Sequence, residues 1–333
     1  MLVLDEADIG KLIDMDAALA AVRSALANVY RGRELNLAKE RASLDGQTLH
    51  STGAVLRTGP AGPDAATAAG TWHGATIYVS GTVRAHWSLV FNGDEGLRAA
   101  VAGKVLARLR TGAASGVSAD ALAHPGPITL ACLGAGYQAW TQVEAVARVR
   151  EIERLRVWSR TRERAERFAA QVRDGLGLPA TPAATVAEAV AGADVVTAAT
   201  KARDPIVLGR DLAPGTHVVL AGSSHVHRRE ADSELFRRAG AVYADDVELA
   251  RAHSGDVGTA VSDGALSWDD VQHLGAALED PGSIPGGDPI TVFCSHGVGS
   301  WDLELAMIAV ERAEAAGVGH RLELDMGQWR DGM

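Results

Sequence analysis

Apolar and polar positions follow two different periods along the chain. Over residues 16–31 the apolar side chains fall three or four residues apart, which predicts an amphipathic helix that ends at Gly32. Over residues 34–102 the pattern changes to short β-like runs separated by Gly, Asp and Asn, with AsnGly at 92–93 typical of a hairpin turn. The first third of the chain is therefore predicted to be rich in β-structure. The runs lie at 48–52, 75–79 and 87–91.

From residue 104 onward, predicted helices and strands alternate. The helix over 104–123 contains a run of small residues from Gly112 to Gly116. Because glycine weakens a helix by about 1 kcal/mol, this run suggests close approach of another backbone or of a ligand. Helices separate the apolar segments that follow, a pattern typical of βαβ units and a parallel sheet. The predicted strands lie at 128–133, 155–158, 194–196, 217–220, 241–244 and 291–294.

The predicted fold class is α/β, with a Rossmann-type doubly wound parallel sheet and a β-rich α+β domain. We expect the β-rich domain over 1–122 and the parallel sheet over 124–297. A C-terminal helical segment, 300–333, with its helix over 300–316, is expected to pack back on the first domain.

Composition narrows the possible functions. The 333 residues are 47% apolar, enough for a large core, and carry a formal net charge of −10, so we expect no nucleic-acid partner. Two cysteines are too few for a disulfide framework, and a reducing cytoplasm is the simplest setting. The N-terminus lacks the basic region of a signal peptide, and no uncharged apolar run reaches the ~18 residues of a membrane span, so no membrane association is expected.

A glycine-rich loop directly follows the first strand of the predicted parallel sheet. Gly134, Gly136 and Ala139 fit the pattern GxGxxA between a strand and a helix, the context in which this motif binds dinucleotides. Gly134 allows a tight turn, Gly136 lets the backbone approach a pyrophosphate, and Ala139 lets the helix pack against the strand. Tyr137 and Gln138 complete the predicted cofactor loop. The alternative is a glycine turn that holds no ligand.

The end of the next strand bears on the choice between NAD and NADP. An acidic side chain there would bind the adenosine ribose and repel a 2′-phosphate. This sequence instead has Ser159, Arg160 and Thr161, followed by Arg162 and Arg164. Hydroxyls and guanidinium groups suit a phosphate, so NADP(H) is favoured over NAD(H). The alternative is that the arginines belong to a solvated helix face.

Several stretches, taken in order, resemble the ornithine cyclodeaminase/mu-crystallin family over almost the whole chain. The resemblance implies a homodimer in which the β-rich domain dimerises and faces the Rossmann domain, with the substrate between them. The details are closer to the ketimine-reductase-like branch than to true ornithine cyclodeaminases. The stretches are RTGAAS at 110–115, LGAGYQA at 133–139, VWSRT at 157–161, ADVVTAAT at 193–200, LAPGTHV at 212–218, YADD at 243–246 and SGDVG at 254–258.

The resemblance assigns roles to individual residues. Arg110 stands where the family has the arginine that binds the substrate carboxylate, and Arg41 resembles a second such arginine. A guanidinium offers a bidentate fork to a carboxylate, which suits this role, although either arginine could be a surface charge. Thr111 is expected near the cofactor. Further cofactor contacts are expected from Thr200, Gly222 and Ser223.

Four positions depart from the family pattern. Thr76 occupies the place of a lysine, and Ser224 the place of an aspartate that deaminating members carry; the reductase branch also has a serine there. Cys294 replaces another common lysine, and His296 stands where the family has valine. These changes argue against ornithine deamination and point to a modified active site.

Histidines accompany the altered positions and are expected on loops and strands that face the cleft. Imidazole exchanges protons near neutrality and can stand in for lysine or aspartate. The predicted catalytic candidates are His225, Tyr78, Thr76 and Ser224, and His73 and His296 are predicted substrate contacts. Most histidines are nevertheless expected to be surface or hydrogen-bonded residues, and the pair His225 and His227 is not expected to bind a metal. The six histidines are His50, His73, His86, His225, His227 and His296.

Three functions remain open from the sequence. The leading hypothesis is NAD(P)H-dependent reduction of the C=N bond of an imino acid or cyclic imine, or the reverse amine oxidation, with a small amino or imino acid as partner. The second is an ornithine cyclodeaminase-like cyclase that eliminates ammonia. The third is a non-catalytic protein that binds a small molecule together with NADPH.

Overall fold

The computed structural model describes residues 1–58, 70–81, 85–93, 96–222 and 224–323. These residues form two eight-stranded sheets. Elements are numbered in chain order. The helices are α1 (Glu6–Leu12), α2 (Met15–Tyr30), α3 (Gly103–Leu122), α4 (Tyr137–Val149), α5 (Arg162–Leu176), α6 (Val186–Val190), α7 (Ser233–Arg238), α8 (Val247–His253), α9 (Gly255–Ser262), α10 (Leu274–Glu279) and α11 (Gly299–Ala316).

The first sheet is mostly antiparallel, with a single parallel pair between β1 and β7 among the described strands. Its order is β16-β1-β7-β6-β5-β4-β2, and β3 also pairs with β4. Helix α11 packs on one face of this sheet, which we call the inner face. The strands are β1 (Leu2–Leu4), β2 (Glu34–Asn36), β3 (Glu40–Leu44), β4 (Gln47–Arg57), β5 (Thr71–Ser80), β6 (Ala85–Asn92), β7 (Gly96–Ala102) and β16 (His320–Arg321).

The second sheet is parallel throughout its described pairs, and its order is β10-β9-β8-β11-β12-β15-β13-β14. The order reverses at β8, so a crevice lies at the carboxyl ends of β8 and β11, where such sheets bind ligands. The predicted α/β class and Rossmann-type sheet are confirmed. The strands are β8 (Ile128–Leu133), β9 (Ile152–Trp158), β10 (Ala180–Pro182), β11 (Val195–Ala198), β12 (His217–Leu220), β13 (Ala239–Ala244), β14 (Val271–His273) and β15 (Ile290–Cys294).

The small residues of α3 allow α4 to approach closely. A Cβ on Gly112 would lie 2.3 Å from the carbonyl oxygen of Thr141, and one on Gly116 would lie 2.9 Å from that of Ala145. Of the two explanations that the sequence left open for these glycines, the structure shows the approach of another backbone. This contact joins the two sheets' helices and fixes Arg110 and Thr111, which lie on α3, beside the second sheet.

The C-terminal segment is not helical throughout. Helix α11 ends at Ala316 because Gly317 adopts a left-handed conformation with φ +65°. The chain then forms β16, which pairs antiparallel with β1, an edge strand that the sequence pattern did not predict. The predicted helix over 300–316 is confirmed, whereas the wider helical segment over 300–333 is wrong for the described residues after Ala316. No helix in the described ranges is both long and apolar enough to span a membrane.

Candidate active site

The loop between β8 and α4 has the shape of a dinucleotide cradle. Gly134 has φ +120°, and a Cβ there would lie 2.9 Å from the carbonyl oxygen of Ala199, so this turn requires glycine. A Cβ on Gly136 would meet nothing within 4 Å, which leaves open space at the start of α4. No side chain caps this helix, so its first amides are available to an anion. Ala139 is fully buried against the sheet. These residues fit a dinucleotide.

Tyr137 and Gln138, the other two predicted residues of the cofactor loop, have neighbours of their own. The side chain of Tyr137 lies on the surface beneath the guanidinium of Arg108, 4.3 Å from its ring centroid. The backbone carbonyl oxygen of Gln138 accepts a hydrogen bond from the hydroxyl of Thr141 at 3.1 Å. The structure therefore places the backbone amides of both residues at the start of α4, with the ring of Tyr137 on the surface.

The end of β9 presents polar and basic side chains to solvent. Arg160, Thr161 and Arg164 are exposed, and Ser159 is partly buried. Arg162 forms an ion pair with Glu166 at 2.9 Å on the surface of α5. No acidic side chain lies between Trp158 and Arg162, so nothing in this turn would repel a phosphate.

A buried glutamate, which the sequence did not single out, joins the loops after β11 and β12. One oxygen of Glu230 accepts hydrogen bonds from the amide and hydroxyl of Thr200, both at 2.6 Å, and the other accepts from the amide of Gly222 at 2.7 Å. Burial raises the pKa of Glu230 to about 7. Asp256 in turn accepts from the amides of Glu230 and Ala231. Thr200 and Gly222 are thus brought together at the carboxyl edge; Ser223 lies outside the described residues.

Arg41 connects the first sheet to the loop after β12. Its Nη2 donates to the carbonyl oxygen of Ser224 at 2.9 Å and to Oγ at 3.0 Å, and its Nη1 lies 3.4 Å from Nδ1 of His225. Burial and the charges of Arg41 and Arg228 lower the pKa of His225 to about 4, so its ring is neutral at neutral pH. The structure brings together three predicted site residues here, and His225 carries almost no proton to donate at neutral pH.

Arg110 approaches the same region from α3. Its Nε donates to Oδ1 of Asp302 at 3.1 Å, and its Nη1 donates to the hydroxyl of Thr111 at 2.9 Å. The guanidinium lies 5.7 Å from the ring centroid of Trp301. Because these contacts come from α11 and from α3 itself, the guanidinium is held in one orientation before any ligand arrives.

Three aromatic rings line the inner face of the first sheet. The rings of His50 and Tyr78 stack with centroids 4.1 Å apart, and Tyr78 and His86 lie 5.0 Å apart. Burial lowers the pKa of His50 and of His86, and it raises the pKa of Tyr78, so the Tyr78 hydroxyl stays protonated at neutral pH. The charges of Arg110 and Arg41 act to lower the pKa of Tyr78, but burial has the larger effect.

Not every candidate faces this region. Thr76 is buried on the inner face with its hydroxyl 2.8 Å from that of Ser88. His73 is exposed on the opposite face of β5, because side chains alternate along a strand, so the structure does not bring it to the cleft as expected. His227 is also exposed. Cys294 is buried in the core of the second sheet.

Two further groups belong to the site although the sequence reasoning missed them. Lys39 is buried and donates from Nζ to the carbonyl oxygens of His296 at 2.8 Å and of Gly297 at 3.3 Å. Burial and the neighbouring Arg110 and Arg41 lower the pKa of Lys39 to about 8. Asp245 bonds the ring of His296. The YADD stretch was a signal for Asp245, whereas only its proximity to Arg41 in sequence could have pointed to Lys39.

Comparison with known proteins identifies the class and then the family. The fold and cradle are those of a Rossmann-type dinucleotide-binding protein, and a sequence model described as "Ornithine cyclodeaminase/mu-crystallin family" matches residues 1–317. Mouse ketimine reductase mu-crystallin is 36% identical over 226 residues, covering 67% of this chain and 68% of that protein. Iminosuccinate reductase of Paracoccus denitrificans is 31% identical over 343 aligned positions, covering 97% of this chain and all of that protein.

Solved structures give the same result. Thermococcus litoralis Δ1-pyrroline-2-carboxylate reductase in complex with NADH and L-proline matches with a TM-score of 0.83 at 26% identity, covering 97% of this chain and 100% of that one. Paracoccus denitrificans iminosuccinate reductase in complex with NAD+ matches with a TM-score of 0.85 at 28% identity, covering 97% and 99%. The chain belongs to the ornithine cyclodeaminase/mu-crystallin family, and the resemblance to its reductase branch is confirmed.

Proposed function

We propose that this protein is an NAD(P)H-dependent oxidoreductase that reduces the C=N bond of an imino acid or cyclic imine, or catalyses the reverse oxidation of an amine. One observation carries this proposal: Arg41, from β3, bonds Ser224 in the loop after β12, and Arg110, from α3, lies against Gly297 after β15. Both arginines thus reach the carboxyl edge of a parallel sheet whose glycine loop fits a dinucleotide. The reductase names of the relatives from mouse and Paracoccus denitrificans support it.

The cofactor would be held mainly by backbone. Gly134 and Gly136 leave room for a diphosphate, and the uncapped amides of α4 are oriented to bind its charge. When bound, a reduced nicotinamide supplies the hydride that reduces the imine carbon. Glu230 keeps the loops after β11 and β12 together beside this position, through Thr200 and Gly222.

We propose NADP(H) as the preferred cofactor. Ser159, Arg160 and Thr161 offer hydroxyls and a guanidinium at the end of β9, and no carboxylate lies in that turn. The structures of the relatives contain NADH and NAD+, so the two cofactors must be compared directly. Calorimetry should give a lower Kd for NADPH than for NADH; tighter binding of NADH would overturn the preference.

The two arginines would bind the substrate carboxylate. A hydrogen bond to a charged partner contributes about 1.5–3 kcal/mol, and a guanidinium can donate two of them to one carboxylate. Asp302 and Thr111 hold Arg110, whereas Ser224 holds Arg41. The carboxylate fixed in this way would orient the C=N bond relative to the cofactor.

We propose that the protein is a homodimer formed through the outer face of the first sheet, the face opposite helix α11. Leu49, Ile77 and Trp87 lie on that face and are exposed by 47%, 42% and 39%, and Ile77 and Trp87 are direct neighbours across β5 and β6. A contiguous apolar sheet face of this kind is typical of a protein interface. Light scattering should give the mass of a dimer for the wild type and a smaller mass for Trp87→Glu; a monomeric wild type would refute the assembly.

We also propose a reducing cytoplasm as the location of the protein. Cys132 and Cys294 are both free thiols and both are buried. Mass spectrometry after the protein from cells is denatured and alkylated should find both thiols reduced, and a disulfide at either position would contradict this.

The proposed reaction is tested by the oxidation of NADPH or NADH with a panel of substrates. The panel contains cyclic ketimine carboxylates, iminosuccinate and, for the reverse direction, the corresponding amino acids. We expect absorbance at 340 nm to fall with at least one imine. Release of ammonia from ornithine without net change in the cofactor would identify a cyclase, and tight cofactor binding with no turnover would identify a binding protein; either outcome would overturn the proposal.

A further inference from the structure

The ring of His296 is held by a single buried carboxylate. His296 follows β15, and its Nδ1 lies 3.1 Å from Oδ1 of Asp245, at the end of the neighbouring strand β13. The other oxygen of Asp245 accepts from the backbone amides of His296 and Gly297, both at 2.7 Å. The side chains of His296 and Asp245 are 3% and 0% exposed. One carboxylate therefore fixes both the ring and the loop that carries it.

This contact determines which ring nitrogen can exchange a proton. Burial acts to raise the pKa of Asp245, but the bonds from His296 and from the two amides lower it below its usual value, so Asp245 is ionised at neutral pH. An ionised carboxylate accepts from Nδ1–H, which leaves Nε2 as the atom that gains or loses a proton. Among the described residues Nε2 of His296 has no hydrogen-bond partner. The arrangement matches the orientation of an imidazole by a carboxylate in acid–base catalysis.

The loop of His296 lies against Arg110, one of the two arginines of the proposed substrate site. A Cβ on Gly297 would lie 2.5 Å from Nη1 of Arg110, so that guanidinium contacts the residue after His296. Lys39 donates to the carbonyl oxygens of both loop residues, and Arg41 follows two positions later in the chain. A carboxylate held by Arg110 would therefore bring its imine nitrogen close to this loop.

We propose that His296, oriented by Asp245, donates the proton to the substrate nitrogen during imine reduction and accepts it back during amine oxidation. This inference rests on the proposed function. In reduction, the imidazolium Nε2–H bond breaks and a new N–H bond forms on the substrate nitrogen. The C=N π bond opens as its carbon gains hydrogen and two electrons from the reduced nicotinamide. The ring is left neutral and takes its next proton from water. With a reduced nicotinamide bound, one imine, one hydride and one proton would therefore give one amine and one oxidised nicotinamide.

Other proton donors in the cleft are less suitable. His225 has a pKa lowered to about 4 and is neutral at neutral pH. The ammonium of Lys39 already donates to two carbonyl oxygens, and the hydroxyl of Thr76 is paired with that of Ser88. The position of His296 is also where the family resemblance gave a valine, so this chain carries an ionisable ring where that pattern has none.

The charges that act on His296 come from several elements. Besides Asp245, Lys39 bonds the carbonyl oxygen of His296, and Arg110 lies beside Gly297. His253 at the end of α8 and Asp256 on α9 are two further titratable groups nearby. None of the four bonds the imidazole nitrogens, so the orientation of the ring is left to Asp245.

The test compares His296→Gln with wild type in both reaction directions over a range of pH. Wild-type kcat/KM for reduction should fall as pH rises, and that for oxidation should rise, because reduction needs the protonated ring and oxidation the neutral one. In His296→Gln both dependences should disappear and kcat should fall ~100-fold or more, with KM little changed. Imidazole added to His296→Ala should restore part of the rate. His124→Gln, an exposed histidine paired with Asp288, is the matched control and should behave as wild type.

A second measurement needs no turnover and separates this inference from the proposed function. In protein labelled with ¹⁵N-histidine, NMR of the ligand-free form should show the neutral ring of His296 protonated at Nδ1, with Nε2 titrating. Asp245→Asn should shift that ring toward the other tautomer while cofactor affinity stays the same. If wild type reduces imines but His296→Gln keeps the rate and the pH dependence, the inference is overturned and the function stands. A neutral ring protonated at Nε2 in wild type would also overturn it, whether or not any imine is reduced.

Discussion

The loop after β8 and the loop after β15 lie at the same edge of one parallel sheet, yet they are built in opposite ways. The first is shaped by missing side chains: Gly134 permits the turn and Gly136 leaves space above α4. The second is held by charged side chains from distant parts of the chain, namely Asp245 and Lys39. A backbone cradle is a local feature that a short motif can encode, whereas a side-chain cluster depends on the whole fold. We therefore expect cofactor binding and substrate chemistry to respond to different substitutions.

The largest effect is expected at Arg110. Arg110→Ala removes about two charge-assisted hydrogen bonds to the substrate carboxylate, which corresponds to a ~1000-fold loss in kcat/KM for imine reduction. Arg110→Lys should lose less, because it keeps the charge without the fork. The Kd of the cofactor should change little in both variants. Arg148→Ala, an exposed arginine paired with Asp16, is the control. An equal loss in cofactor affinity would show that the two loops are not separable.

The next effect tests the cradle alone. Gly136→Val fills the open space at the start of α4 and should raise the Kd of NADPH and NADH by roughly 10-fold or more, because the diphosphate loses its approach to the helix amides. The melting temperature should not change, since a Cβ at Gly136 meets nothing within 4 Å. Gly258→Ala, in equally open surroundings on α9, is the control measured by the same calorimetry. Unchanged cofactor affinity in Gly136→Val would place the cofactor elsewhere.

A smaller effect is expected at Arg160 and tests the preference for NADPH over NADH. Arg160→Glu reverses a charge at the end of β9 and should raise the Kd of NADPH about 10-fold, with little change for NADH, since a solvated charge acts on the 2′-phosphate over a short range. Arg167→Glu makes the same charge change on the exposed side of α5. If both variants weaken NADPH equally, Arg160 acts only through net charge.

The smallest effect leaves both loops untouched and concerns stability. Burial, together with Glu304 beside it, raises the pKa of Glu34 to about 9 from an ordinary 4.5. A group with a raised pKa stabilises the fold below its unfolded pKa, and this contribution is lost as pH rises toward the folded pKa. Wild type should therefore lose stability between pH 6 and pH 9, and Glu34→Gln should lose less, by on the order of 1–2 kcal/mol. Urea unfolding at both pH values measures the difference, and equal losses would contradict the assignment.

The sequence was sufficient for features that depend on local pattern. The parallel sheet followed from the alternation of strands and helices. Gly112 and its neighbours predicted close approach of another backbone or of a ligand, and the structure shows the backbone of α4. The short strands β1 and β16 were missed because their pairing joins the two ends of the described chain. His73 was assigned to the cleft because the face of a strand depends on register, which the sequence alone did not fix.

The site was less predictable for the same reason. Arg110 and the glycine loop carry family motifs, but Lys39 and Glu230 act through bonds to residues far along the chain, and no motif marks them. The pairing of His296 with Asp245 spans 51 positions and depends on β13 and β15 being neighbours. In the sheet β15 lies between β12 and β13, an order that the sequence alone does not give.

The most direct test follows one hydrogen atom. NADPH that carries deuterium on the transferred side of nicotinamide C4 is incubated with the protein and an imino acid that shows turnover, and the amine product is examined by mass spectrometry and NMR. The account predicts one deuterium on the carbon attached to nitrogen, with NADP+ formed in equal amount. Turnover that leaves this carbon without deuterium, or that consumes no NADPH, would contradict it.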